Sequence, residues 1–583
     1  MPKKNQPSIM RTMAARIRQY RTIAAVTPLF MIGEVAMEVA IPTLMATVID
    51  RGVMKGDMAF ILRMSVILVG SAILSLAFGA LGAFTGSRAS TGFAANLRHD
   101  IFYRLQDFSF HNIDSFSQSS LITRLTTDVQ NVQMAFQMVL RICFRAPVML
   151  VFAMIMVVHN GGSLSVVFAI AIPFLSIALF LIMSHVHPYM SRAFKAYDKL
   201  NNVVQENLTG IRAVKAYVRE KDEEKRFAVP NAEIHDNFVN GSVLMAWTAP
   251  LMMGTSYVCM IALAWLGAKA IVVRTTMTTG QLMSVLTYTM QILMNLMMIS
   301  FIVIQLAVSQ ESARRITEVL DTTSDMDPNP TGLQALDDGS VDFNHVSFAY
   351  DGGDKNLCLK DIDLHIRSGE TIGILGNTGS GKSTLVSLIP RLYDVTQGSL
   401  SVGGHPVKAY DLHALRREVN MVLQKNQLFS GTIASNIRWG APEASDEDIW
   451  KALEIAGAAD FVREKPEGLD SVVEQGGNNF SGGQKQRLCI ARAIVGKPRI
   501  LIFDDSTSAV DTKTDAKIRE GLSSFAPETT KLIIAQRVSS VENADRIIIL
   551  SDGRIQDIGT HSELLGRNRL YQALYAAQNK GVR

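Results

Sequence analysis

The residues best placed to do chemistry lie in TIGILGNTGSGKST (Thr371–Thr384). An apolar run leads into glycines spaced G-x-x-x-x-G-K-S, and hydroxyl residues follow. In a strand–loop–helix start of this kind, backbone N–H groups of Gly376, Asn377, Thr378, Gly379, Ser380 and Gly381 can wrap phosphates. Lys382 would set a positive charge on the β- and γ-phosphates. The Ser383 hydroxyl would ligate Mg2+, and Thr384 follows it into the helix. The implied ligands are ATP and Mg2+. Further groups occur in the order that such a site needs. NHVSFAY ends at Tyr350, whose ring could stack on adenine. VLQKNQLF sets Gln424 after a strand, suited to Mg2+ and an attacking water. NNFSGGQKQRLCIARAI places Ser481, Gly482, Gly483 and Gln484 at a helix start, a second phosphate-facing N-terminus. The strand RILIF ends in Asp504, placed to hold Mg2+ through water, and Asp505 follows.

Two kinds of element must carry these residues. The chain has 583 residues, too many for one ordinary domain. It is 48% hydrophobic and 19% charged, less charge than soluble proteins carry. The net charge of +4 gives no sign of a nucleic-acid partner. Four scattered cysteines show neither metal-ligand spacing nor a disulfide framework. No cleavable signal is evident. Apolar stretches near 22–50, 60–88, 137–158, 163–185, 241–272 and 281–308 are each long enough to cross a lipid bilayer. The first 21 residues hold six basic side chains and no acid, which keeps the N-terminus in the cytoplasm. Residues 8–21 are expected to form an amphipathic helix on the membrane surface. Six crossings return the chain to the cytoplasm, where an ATP site belongs. The inner connections, 89–136 and 186–240, are long and charged, so the helices should continue into the cytoplasm. Their turns, near Phe110–Ser120 and Leu208–Tyr217, would reach the soluble half. The expected domains are a membrane domain at 1–320, a linker at 321–340 and an α/β nucleotide domain at 341–583.

Glu34 and Glu38 lie four apart inside the first span, and Arg141 and Arg145 repeat that spacing in the third. Ionisable groups at that depth face a cavity or a partner. Two readings stand: charge pairing between helices, or glutamates that attract a cationic substrate or carry a proton. The methionines of MQILMNLMMISF (Met290–Phe301) suit a permissive binding surface, and suit a lipid-facing one equally.

At S-G-G-Q the chain resembles ATP-binding cassette transporters, and the six spans ahead of one cassette resemble an exporter half-transporter. The resemblance implies an all-α membrane domain fused to a P-loop domain with a helical subdomain. It implies a dimer, with each ATP held between one chain's P-loop and the other's Ser481–Gln484. It implies that the two inner turns are coupling helices, and that SAVD, ending at Asp511, is the loop linking the two ATP sites. The chain departs from the family twice. Glutamate usually follows the aspartate, but here it is Asp505, whose carboxylate is retracted by roughly 1.5 Å, a C–C bond length. The histidine expected after KLIIA is Gln536, which can hydrogen-bond a phosphate but cannot take up a proton. Apart from Phe480 in place of leucine, the S-G-G-Q segment is intact. A defect at one site alone fits a heterodimer, in a plasma membrane, with a different half-transporter that carries the intact glutamate and histidine. The expected cargo is an amphipathic small molecule of the multidrug type. Lipid or peptide export, a slow homodimer and an ATP-gated channel stand as alternatives.

Overall fold

The computed structural model describes residues 9–273, 276–353, 356–505 and 512–579. The chain divides into two compact units: Met1–Gln106 with Gln118–Thr322, and Asp107–Ser117 with Thr323–Arg583.

The first unit is helical. It contains α1 (Ile9–Ala15), α2 (Arg21–Thr47) and α3 (Met58–Gln106). After the short α4 (Phe110–Asp114), which belongs to the second unit, come α5 (Gln118–Thr123), α6 (Val129–Gly161) and α7 (Val166–Thr209). Next are α8 (Ile211–Ala216), α9 (Glu220–Ala246), α10 (Thr248–Val272) and α11 (Thr279–Asp321). α2, α3, α6 and α11 pack on one another, and α7 packs on α9 and α10. The core includes Val35, Met149, Phe168, Leu263 and Tyr288. The buried Tyr288 hydroxyl donates to the Val39 carbonyl at 2.5 Å, which satisfies its polar end.

Among the described residues, five helical stretches are long and apolar enough to cross a membrane: Arg18–Val53, Met58–Gln106, Gln118–Thr209, Glu220–Val272 and Thr279–Ile299. The two expected spans at 137–158 and 163–185 fall within one of them. The chain reverses little of its helical character there: a 3-10 turn, Gly162–Ser165, replaces an open loop, with φ +52° at Gly162. The expected surface helix over 8–21 is also divided, into α1 and a 3-10 turn at Arg18–Tyr20.

The second unit is α/β. One sheet is antiparallel, in the order β2 (Leu359–Ile366), β1 (Val341–Phe348), β4 (Gln397–Val402), β5 (His405–Pro406). The six-stranded sheet runs β12 (Arg554–Gly559), β11 (Arg546–Ser551), β3 (Thr371–Gly376), β10 (Thr530–Ile534), β9 (Ile500–Asp504), β6 (Val419–Val422), parallel except for β12. Among the described residues, the helices after the P-loop include α12 (Lys382–Ser387), α13 (Leu412–Glu418), α14 (Ile433–Ile437), α15 (Asp446–Ile455) and α16 (Ala459–Arg463). α17 (Gly482–Ile494) comes next, and packs with α14 and α15 beside the sheet. The stretch expected as a linker makes contacts within the second unit. Leu333 bridges to Tyr410, and Arg391 donates to the Asp327 carbonyl at 3.0 Å.

Candidate functional site

Strand order places the site. β10 lies between β3 and β9, with Ile534 level with both Ile374 and Asp504. The C-terminal ends of these parallel strands therefore bring the P-loop, Asp504, Asp505 and Gln536 to one edge, where open α/β sheets bind ligands.

The P-loop leaves β3 at Gly376, where a Cβ would sit 2.1 Å from the Leu550 carbonyl oxygen. Only glycine fits that approach. Gly381 ends the loop in a left-handed conformation, φ +97°, and caps α12. Asn377, Thr378 and Gly379 are exposed and Ser380 is buried, its hydroxyl without a hydrogen-bond partner among the described residues. The Lys382 ammonium donates to the carbonyls of Gly376 and Asn377, both at 2.8 Å. Burial pushes this ammonium below its ordinary value, against the opposing charges of Asp505 and Asp504. The Ser383 hydroxyl donates to the Asp504 carboxylate at 2.8 Å. A hydroxyl and a carboxylate held together are the hard oxygen donors that Mg2+ selects. These residues and the glycine cradle fit ATP with Mg2+.

Asp504 is buried, which pushes its carboxyl up. The Ser383 hydrogen bond opposes the shift and Asp505 adds to it. Asp505 has φ +48°. Gln536 donates to its carboxylate at 2.5 Å. The two residues that depart from the family pattern thus touch each other. Burial raises the Asp505 carboxyl, and the Gln536 bond holds it back. Gln424 is exposed just beyond β6. Asp511 and the SAVD segment lie outside the described residues.

Ser481 caps α17. Its hydroxyl accepts from the Gln484 N–H at 3.3 Å, and the Gln484 side chain accepts from the Ser481 N–H at 3.0 Å. This reciprocal pair fixes the helix start. A Cβ on Gly482 would meet nothing within 4 Å, so the approach to the helix end is open. The unusual Phe480 is buried beside Phe461, with the Lys465 ammonium 4.7 Å from its ring centre.

Sequence reasoning missed a line of contacts away from the phosphates. The Tyr350 hydroxyl hydrogen-bonds Thr384 at 3.0 Å, and its ring meets Tyr393 edge-on at 5.2 Å. Tyr393 in turn donates to Asp114 of α4 at 2.7 Å. Burial, with Asp114 adding, pushes the Tyr393 hydroxyl well above its ordinary value. No local pattern marks Tyr393, since its partners lie far away in sequence.

In the first unit, Arg145 reaches both glutamates of α2, at 2.7 Å from Glu38 and 3.7 Å from Glu34. Arg141 forms no ion pair with either glutamate, and among the described residues its buried Nε has no hydrogen-bond partner.

Family profiles match at both ends of the chain: the ABC transporter transmembrane region over residues 25–297 and the ABC transporter domain over 359–508. The chain is 36% identical to the uncharacterized ABC transporter ATP-binding protein YfiB of Bacillus subtilis, over 96% of this chain and 97% of that protein. It is 30% identical to the ATP-dependent lipid A-core flippase of Methylococcus capsulatus, over 95% and 90%. In structure it is similar to a bacterial Atm1-family ABC exporter with ATP bound. The TM-score is 0.81, with 24% identity over 96% of this chain and 99% of that one.

Proposed function

The chain belongs to the ABC transporters, which couple ATP hydrolysis to transport, and on that premise we propose that it is the slow-site subunit of a heterodimeric exporter of amphipathic small molecules. The observation that carries this reading is the Asp505–Gln536 pair beside an otherwise complete P-loop. Bound ATP with Mg2+ supplies the phosphoryl group and the metal charge. Gly376–Gly381 and Lys382 would hold the phosphates, Ser383 and Asp504 the metal, and Tyr350 the adenine. Gln424 would orient the water. Asp505 is too short for general-base contact, which needs about 2.6–3.2 Å. Its carboxylate is occupied by Gln536, which has no proton to exchange. The site then binds ATP and hydrolyses it slowly.

The open start of α17 serves the partner's ATP instead. Its N–H groups, aimed by Ser481 and Gln484, would stabilise charge developing on the partner's γ-phosphate. The partner supplies the glutamate and histidine that this chain lacks. In this reading the chain crosses the plasma membrane six times, with the turn Gly162–Ser165 outside and both the N-terminus and the ATP site inside. The α4 and α8 turns would serve as the coupling helices. A lipid cargo is the second reading, favoured by the similarity to the lipid A-core flippase.

The test is ATPase activity of the chain expressed alone and with candidate half-transporters. Slow turnover alone and fast turnover in one pair is the expected result. Ordinary exporter turnover by the chain alone would sink the heterodimer reading.

A further inference from the structure

The two glutamates of α2, equivalent in spacing, are unequal in their surroundings. Glu38 is hydrogen-bonded to the Arg145 Nη2 at 2.7 Å, a closed ion pair. Glu34 lies 3.7 Å from the same guanidinium, beyond hydrogen-bond reach. Among the described residues its carboxylate accepts no hydrogen bond. Its side chain is 21% exposed, so it remains reachable. A carboxylate at membrane depth that shares its cation with a neighbour and accepts no hydrogen bond keeps room for a ligand, and such groups mark ligand pathways. A second observation concerns the walls. A Cβ on Gly79 of α3 would come within 3.2 Å of the Glu34 carboxylate, so the absence of a side chain there makes its room. One residue before it, the ring of Phe78 lies against Gly33, 6.4 Å centre to centre from Phe30. Phe30 is one helical turn before Glu34 and is half-buried, as is Phe78. A carboxylate one residue from Gly33, with the Phe78 ring on that glycine and Phe30 one helical turn away, suits an organic cation with apolar substituents, through charge and cation–π attraction.

We propose that Glu34, walled by Phe30 and Phe78, is the cation-accepting group of a substrate site in the helical unit, and that the cargo includes amphipathic organic cations. Glu38 and Arg145 form the fixed pair that holds the neighbouring helices. This inference rests on the small-molecule reading above and narrows it to positively charged cargo.

The test uses the purified complex containing this chain in lipid nanodiscs. The probes are tetraphenylphosphonium and its uncharged counterpart triphenylphosphine oxide. Glu34→Gln should weaken phosphonium binding about tenfold or more, as when a desolvated charge loses its partner. Binding of the neutral probe should stay within about twofold, because the apolar wall is intact. A second measurement needs no variant. Phosphonium, and not the neutral probe, should protect Glu34 from carbodiimide labelling read by mass spectrometry. Unchanged phosphonium binding in Glu34→Gln, or labelling insensitive to phosphonium, would overturn the proposal while leaving the small-molecule reading intact. Equal loss of both probes would also overturn it, by assigning Glu34 to packing. Wild-type complex that binds neither probe would remove the small-molecule reading itself, and this inference with it.

Discussion

On the proposed reading, Asp505 and Gln536 set how fast the nucleotide site turns over. A carboxylate bonded to a carboxamide has no proton relay, and its reach is one methylene shorter than that of glutamate. Asp505→Ala should therefore leave ATP turnover of the complex within about twofold of wild type, since an interaction absent from the transition state carries no rate. Loss of most activity in a steady-state ATPase assay would identify Asp505 as a working base. Asp504 gives a pH prediction. Burial raises its carboxyl above the ordinary 3.8. The folded, nucleotide-free protein then holds this proton more tightly than the unfolded chain does. Stability should fall as pH rises from the ordinary value through the raised one. Thermal unfolding across that acid window should show the slope, and Asp504→Asn should flatten it. Mg2+ retention should change in the opposite sense, improving as the carboxyl ionises.

Helix ends and helix pairs set the next scale. The open N-terminus of α17 predicts that Gly482→Asp, adding bulk and negative charge, lowers turnover of the complex on the order of 100-fold, as for loss of transition-state donors. Lys382→Ala should mainly release nucleotide from this chain's own P-loop. Bound-nucleotide stoichiometry after rapid desalting separates the two, and identical content with identical ATPase loss would contradict unequal sites. Within the helical unit, Asp128 is fully buried against Arg315, and Arg124 pairs with Glu318 at 2.9 Å. Removing the more exposed partner strands the buried one. Arg315→Ala should cost about 3–5 kcal/mol, whereas Asp128→Ala leaves a guanidinium that can reach water and should cost less. Equal melting temperatures for the two variants would refute that asymmetry.

For the whole molecule, the number of crossings is the decisive property. Glycine at 162 and a single 3-10 turn separate two helices that together are long enough to cross twice. With Cys143, Cys259, Cys358 and Cys489 replaced, Ser163→Cys should react with an impermeant maleimide added outside intact cells, and Ser117→Cys only after permeabilisation. The reverse pattern would exclude the six-crossing topology. On the proposed reading, pairing belongs to this scale as well, because a slow site would be useful only beside a fast one.

Much of this protein was legible in short windows of its sequence. The P-loop glycines, Lys382, Ser383 and the S-G-G-Q helix start are fixed by local backbone geometry and capping, so their spacing alone specified their placement. The run of apolar stretches likewise reported the lipid contact of the helical unit, since solvent preference accumulates residue by residue. Tertiary structure decided what depends on distant partners. Gln536 touches Asp505 because β10 is inserted between β3 and β9, an order that no stretch of sequence states. Tyr393 meets Asp114 because α4, 279 residues away, packs with the nucleotide unit. Glu34 and Glu38 have the same residue type and helical face, and they differ because Arg145 of another helix hydrogen-bonds Glu38 and only approaches Glu34. Local propensity can set which groups a helix presents. Only the packing of helices and the order of strands sets which of them meet.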